Sequence, residues 1–176
     1  MRLFSWGKYP EIKNESYIFR DKQSLWSVLS VNEEIIPYGN GRSYGDSALN
    51  ANILYCRPYD YFLDFDETRG VLHCQSGVLL SEILEIVVPK GWFLKVTPGT
   101  KYITLCGAIA SDIHGKNHHK EGCFSSCVEE FTLMLPDGEV FKCSKEQNKE
   151  LFFATCGGMG LTGVIICSNI SLKKIK

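Results

Sequence analysis

The apolar positions of this chain fall into short runs instead of long stripes, and most of the runs are β-branched or aromatic. Tyr17-Ile18-Phe19 reads as a short strand. Asp21 then stands where an N-cap would, before a helix to about Leu29 with Leu25, Val28 and Leu29 on one face. Residues 35–38 predict a second strand. It opens into Gly39-Asn40-Gly41-Arg42-Ser43-Tyr44-Gly45-Asp46-Ser47, a stretch too rich in glycine and small polar residues for regular structure. Further strands are predicted over 53–55, 61–64 and 71–75, followed by a helix over 79–87 that Pro89 and Gly91 stop.

A second unusual stretch runs from Thr97-Pro98-Gly99-Thr100 through Gly107-Ala108-Ile109-Ala110 to Asp112-Ile113-His114-Gly115-Lys116-Asn117-His118-His119. The last third reads as an antiparallel meander. Residues 128–135 and 139–143 flank Pro136-Asp137-Gly138, a hairpin turn signal. A helix over 148–155 leads into the glycines of 157–163, and a β-branched strand over 164–170 follows. No internal repeat is visible. Lys176 comes soon after that strand with no capping element, so the sequence reads as an incomplete architecture, lacking a C-terminal substrate domain.

The 176 residues suffice for a substantial core, since a chain of this size buries roughly 70% of its surface on folding. Hydrophobic residues make up 44% and charged residues 22%, which excludes a disordered chain. A net charge of -1 leaves no electrostatic footprint for nucleic acid. No run reaches the ~20 apolar residues of a transmembrane segment; the best, 83–88, is broken by Glu85. The N-terminus lacks the apolar stretch of a signal peptide. Cys74, Cys106, Cys156 and Cys167 lie in apolar or glycine-rich surroundings, so the eight cysteines are expected to be reduced and the protein cytoplasmic.

Two stretches imitate dinucleotide fingerprints. Gly158-Met159-Gly160-Leu161-Thr162-Gly163 matches G-x-G-x-x-G literally, but a helix precedes it and a strand follows, the reverse of the order that places a helix N-terminus on a pyrophosphate. The 39–47 stretch does follow a strand, with its third glycine one place late and no G-K-[ST]. What it offers is successive backbone N–H groups with little side-chain bulk, a concave nest for an anion. Amides bared at two distant glycine-rich stretches are expected to grip a diphosphate jointly. His114, His118 and His119, with Cys123 and Cys127, fit no zinc spacing and read as polar site-lining residues. His73 lies in an alternating strand and reads as structural. The carboxylates of Asp64, Asp66 and Glu67 read as a solvated turn, and no G-x-S-x-G elbow is present.

Taken together, Trp6-Gly7, Gly41-Arg42-Ser43-Tyr44-Gly45-Asp46, Pro98-Gly99-Thr100, Gly107-Ala108-Ile109-Ala110, the Asp112-to-His119 string and Gly160-Leu161-Thr162-Gly163 resemble the FAD-binding domain of the vanillyl-alcohol oxidase and p-cresol methylhydroxylase superfamily. The likeness spans almost the whole chain and is strongest to members that oxidise the ribose of a polyprenyl phosphate on the way to arabinose. It implies an α+β fold, an FAD-binding PCMH-type domain of two subdomains: a small β/α unit over 1–64 and a mainly antiparallel sheet with helices over 65–176. FAD would lie between them. By the same likeness Pro37, Tyr38, Gly39, Asn40, Gly41, Arg42, Ser43, Tyr44, Gly45, Asp46 and Ser47 surround the pyrophosphate. Gly99, Thr104, Leu105, Cys106, Gly107, Ser111, Asp112, Ile113 and His114 line the flavin, and Val164 touches the adenine side.

Many members tether the flavin through a histidine where this chain has Arg42. A guanidinium stays protonated and is not a nucleophile, so noncovalent FAD is expected. The resemblance also places His114 and Lys116 at the substrate side as catalytic candidates: Lys116 for an anionic substrate group or the reduced flavin, His114 for a hydrogen bond to flavin or sugar. The expected activity is an FAD-dependent oxidoreductase taking hydride from ribose C2. The missing substrate domain, on this or another chain, and a ketosugar reductase are the expected partners. Two other readings stay open: a sugar-lactone or alditol oxidase, and a noncatalytic nucleotide-binding module.

Overall fold

The computed structural model describes residues 2–176. Its first unit is a three-stranded parallel sheet in the order β1-β3-β2, built from β1 (Glu15–Tyr17), β2 (Ile36–Tyr38) and β3 (Asn52–Tyr55). Between β1 and β2 runs helix α1 (Lys22–Leu29), started by a capping box in which Asp21 accepts from Ser24 N–H at 2.7 Å. Leu25 and Leu29 of α1 turn inward. Tyr38 and Tyr55 are partners in register, and Cys56 N–H donates to Tyr38 O at 2.9 Å just beyond. The carboxyl ends of β2 and β3 therefore finish side by side, the place where open parallel sheets receive ligands.

The second unit is a six-stranded antiparallel sheet in the order β4-β5-β9-β7-β8, with β6 on the far end of β9. Its strands are β4 (Phe62–Asp66), β5 (Val71–Gln75), β6 (Trp92–Leu94), β7 (Val128–Met134), β8 (Val140–Ser144) and β9 (Val164–Lys174). Helices α2 (Leu80–Val87), α3 (Leu105–Ala110) and α5 (Lys149–Thr155) cover one face, while α4 (His118–Glu121) is a single exposed turn. The main core joins Leu72, Phe131, Leu133, Ile170 and Leu172 of the sheet to Ile83, Leu105, Ile109 and Phe152 of the helices. Phe131 stacks on Phe152 at 5.2 Å, and fully burying such a ring is worth about 1.5–3 kcal/mol.

A separate cluster fastens the two units together. Phe19, Leu25, Leu54 and Cys56 of the first pack on Met134, Val164 and Ile166 of the second. The sequence places the first strand two residues late, because Phe19 is apolar for this contact and not for the ladder. Strand β9 runs to Lys174, further than its β-branched portion, because Leu172, Lys173 and Lys174 pair with β6. The small sheet ends at Tyr55 and the large one begins at Phe62, so position 64/65 falls within β4. None of the described helices is long and apolar enough to cross a membrane.

Candidate functional site

Where β2 ends, the chain enters the 39–47 loop, and no backbone N–H from Gly39 to Ser47 donates to another group of the protein among the described residues. Gly41 (φ 63°) keeps the chain in a left-handed turn here, which a side chain would strain. The loop is braced from behind. Trp6 N–H donates to Ser43 O at 2.9 Å, and the Tyr38 hydroxyl donates to Phe4 O at 2.6 Å. Burial pushes the Tyr38 phenol up, so it stays a donor. The Arg42 guanidinium lies over the Trp6 ring, 5.0 Å from its centroid, and donates to Asn40 O at 3.0 Å. Asn40 Nδ2 reaches across to Tyr102 O at 2.8 Å, tying the loop to the second unit.

Helix α3 forms the opposite wall. Thr104 is its N-cap, with Oγ1 accepting from Gly107 N–H at 3.1 Å. The neighbouring amides are also engaged, Leu105 N–H with Val78 O at 2.7 Å and Cys106 N–H with Ser76 O at 3.3 Å. The first turn of α3 thus has no spare donor, and the joint grip expected from the sequence resolves into one run of free amides on the 39–47 side. The two walls nearly touch: a Cβ on Gly39 would stand 2.4 Å from Thr104 Oγ1.

Between the walls lies a narrow cleft of about 70 Å³. Pro37, Tyr38, Gly39, Ser43, Ser47, Thr104, Cys106, Gly107, Ser111 and Val164 line it. An adjoining recess adds Asn40, Gly41, Arg42 and Ile113. Gly99, His114 and Lys116 come together in a third hollow with Thr97, Pro98 and Asn117, beside Ile113 in sequence but separate from the main cleft. Tyr44, Gly45 and Asp46 are exposed at the loop tip. Leu105 is wholly buried in the core. The Asp112 carboxylate is occupied elsewhere, accepting from Ser125 N–H at 2.8 Å and Ser125 Oγ at 3.1 Å.

Several cleft residues escaped the candidate set: Ala48, Cys56, Ala110, Met159, Gly160, Gly163 and Ile165. The glycine cluster of 157–163 carried a usable signal for three of them, since backbone without bulk marks close approach. Cys56 carried none. All eight cysteines are free. Burial pushes the Cys56 thiol up to about 12 and that of Cys106 well above its ordinary value, so both behave as small apolar groups in the cleft floor.

A run of unpaired amides at a strand end, with glycine where the opposing wall comes closest, fits a dinucleotide diphosphate. Comparison with known proteins agrees. Residues 21–144 match the family described as FAD binding domain. The decaprenylphosphoryl-beta-D-ribose oxidase of Mycolicibacterium smegmatis is 33% identical over 97% of this chain and 39% of its own length. Human Delta(24)-sterol reductase is 24% identical over 62% of the chain and 21% of that protein. The D-lactate dehydrogenase of Anaerostipes hadrus is 30% identical over 64% of the chain and 24% of that protein. The chain spans well under half the length of these relatives. With its α+β fold and its open amide run, it belongs to the FAD binding domain family of oxidoreductases, and its cofactor is FAD.

Proposed function

We propose that this chain is the FAD-binding part of an oxidoreductase that removes hydride from a sugar carbinol carbon, the C2 of a polyprenyl-phosphate ribose. The observation that carries the cofactor half of this reading is the acceptor-free amide run from Gly39 to Ser47 facing Thr104 across the cleft. The substrate half is supported by likeness along 97% of the chain to an oxidase named for decaprenylphosphoryl ribose. Bound in the cleft, FAD supplies the hydride acceptor.

The remaining work falls to side chains. The 39–47 amides hold the diphosphate, while Cys106, Gly107, Ser111 and Ile113 form the wall towards the flavin and Val164 lies at the adenine end. Ile113 of this wall leads directly into His114, which shares the separate hollow with Gly99 and Lys116; His114 and Lys116 are both exposed there. The Lys116 ammonium, with three donors, holds an anionic group of the substrate. His114 hydrogen-bonds the sugar hydroxyl and takes its proton as the carbon is oxidised. Arg42, stacked on Trp6, braces the loop and forms no bond to the flavin, so FAD is held without a covalent link. In the relatives more than half of the polypeptide lies outside the matched region, and we assign completion of the sugar pocket to polypeptide of that kind. A ketosugar product calls for a reductase to complete conversion of ribose to arabinose. The free thiols favour a cytoplasmic setting.

The test is to load the purified protein with FAD, desalt it and precipitate it with acid. A yellow protein whose flavin passes entirely into the supernatant is expected. A colourless desalted protein overturns the cofactor reading, and flavin retained in the pellet overturns the noncovalent one.

A further inference from the structure

From His114 to Lys120 every ionisable side chain is an imidazole or an ammonium: His114, Lys116, His118, His119 and Lys120, all exposed. None of them has a carboxylate within salt-bridge distance among the described residues. Two acids flank the row: Asp112 is held by Ser125, and Glu121, at the end of the same turn, is taken up by Lys173 at 2.7 Å. That ion pair holds the Glu121 carboxyl below its ordinary range.

The backbone that presents these groups is fixed. Asn117 Nδ2 donates to Lys95 O at 2.9 Å, and Asn117 O accepts from Lys120 N–H at 2.9 Å and Glu121 N–H at 3.0 Å. At the other end the His114 ring meets His118 edge-on at 5.4 Å. The row thus starts in the hollow with His114 and Lys116 and continues along the chain onto α4, which follows the hollow's Asn117 directly. A carboxylate free to swing into such a row would compete with an incoming anion, and the Lys173 pair prevents it.

We propose that His118, His119 and Lys120 extend the hollow into a subsite for the phosphate group of the substrate, with Lys116 at its inner end. This rests on the sugar-oxidising reading above and deepens it, since it assigns to α4 the phosphate of a polyprenyl-phosphate sugar. The subsite acts by charge and by imidazole and ammonium donors, so it recognises phosphate and ignores the lipid tail.

The test uses the FAD-loaded protein and two soluble probes, farnesylphosphoryl-ribose and octyl ribofuranoside, the second with sugar and tail but no phosphate. Titration followed by tryptophan fluorescence should show the phosphorylated probe binding more tightly. His119→Asn/Lys120→Ala should weaken that probe roughly tenfold, as loss of an exposed ammonium and an exposed imidazole implies, and leave octyl ribofuranoside and FAD unchanged. Lys173→Gln, which frees Glu121, should weaken it in the same direction. Equal binding of the two probes, no binding of either, or an unchanged double variant overturns the proposal. So does retention on phosphatidylglycerol vesicles that the double variant abolishes while the soluble probe is unaffected, which would mark the row as a membrane contact. Loss of FAD binding in the unaltered protein would instead strike the cofactor reading.

Discussion

Replacing Gly39 with alanine drives a methyl group into the wall that faces it. The new carbon would stand 2.4 Å from Thr104 Oγ1 and 3.3 Å from Thr104 Cγ2. Thr104 is only 2% exposed, so it has no solvent to swing into, and its hydroxyl is committed to Gly107 N–H at 3.1 Å. Overpacking of this kind costs about 1–3 kcal/mol. Thr104→Ala alone forfeits the helix cap, about 1 kcal/mol. Changes at independent sites add, but these two should not. Thr104→Ala removes both atoms that the methyl strikes and leaves Thr104 Cβ at 3.4 Å, an ordinary contact. The double variant is therefore expected to be about as stable as Thr104→Ala by itself, a coupling of about 1–3 kcal/mol. Urea unfolding of the four proteins without FAD, followed by circular dichroism, measures the cycle. FAD titration of the same four shows Gly39→Ala weakening the cofactor and the second substitution restoring part of the loss. Strictly additive destabilisation would refute the reasoning that these residues set the gap between the walls.

Other outcomes follow from single contacts. Tyr38→Phe removes the hydrogen bond to Phe4 O and should cost about 1 kcal/mol, with faster proteolysis ahead of β1; unchanged cleavage would count against the bracing role. Asp112→Ala leaves Ser125 N–H without its partner and should cost about 1–3 kcal/mol. Asp112→Gly should cost less, because glycine accepts the φ of 39° at this position; thermal denaturation that ranks them the other way contradicts the account. Burial holds the Cys56, Cys127 and Cys156 thiols at about 12 against an ordinary 9.0. The unfolded chain releases those protons first, so this stability is complete below pH 9.0 and is lost as pH rises towards 12. A urea midpoint that does not fall as the buffer passes through that range contradicts it.

The elements legible in the sequence are those whose causes are local. Asp21 caps α1, and Gly91 in the left-handed region (φ 77°) follows the turn that ends α2. Pro136-Asp137-Gly138 joins β7 to β8 with Gly138 N–H donating to Leu135 O at 3.0 Å. The elements that escaped are set by distant partners. Strand β6 exists because β9 passes beside it. Helix α3 carries Gly107 within its six residues, which argues against a helix on propensity, yet the Thr104 cap and the buried Leu105 and Ile109 hold it in place. The same division holds at the site. The 39–47 loop announces itself by composition, whereas the pairing of Thr104 with Gly39, and the occupancy of the α3 amides by Ser76 and Val78, arise only when two units separated in sequence are packed together.

Backbone hydrogen exchange read residue by residue, with FAD and with riboflavin, tests the central assignment most directly. Riboflavin has the ring but no diphosphate. FAD should slow exchange of the amides from Gly39 to Ser47 and leave those of Leu105, Cys106 and Gly107, already bonded, nearly as they were, while riboflavin should not protect the loop. Protection that appears at α3 and not at the loop, or that riboflavin reproduces in full, would contradict the assignment of the diphosphate to these amides.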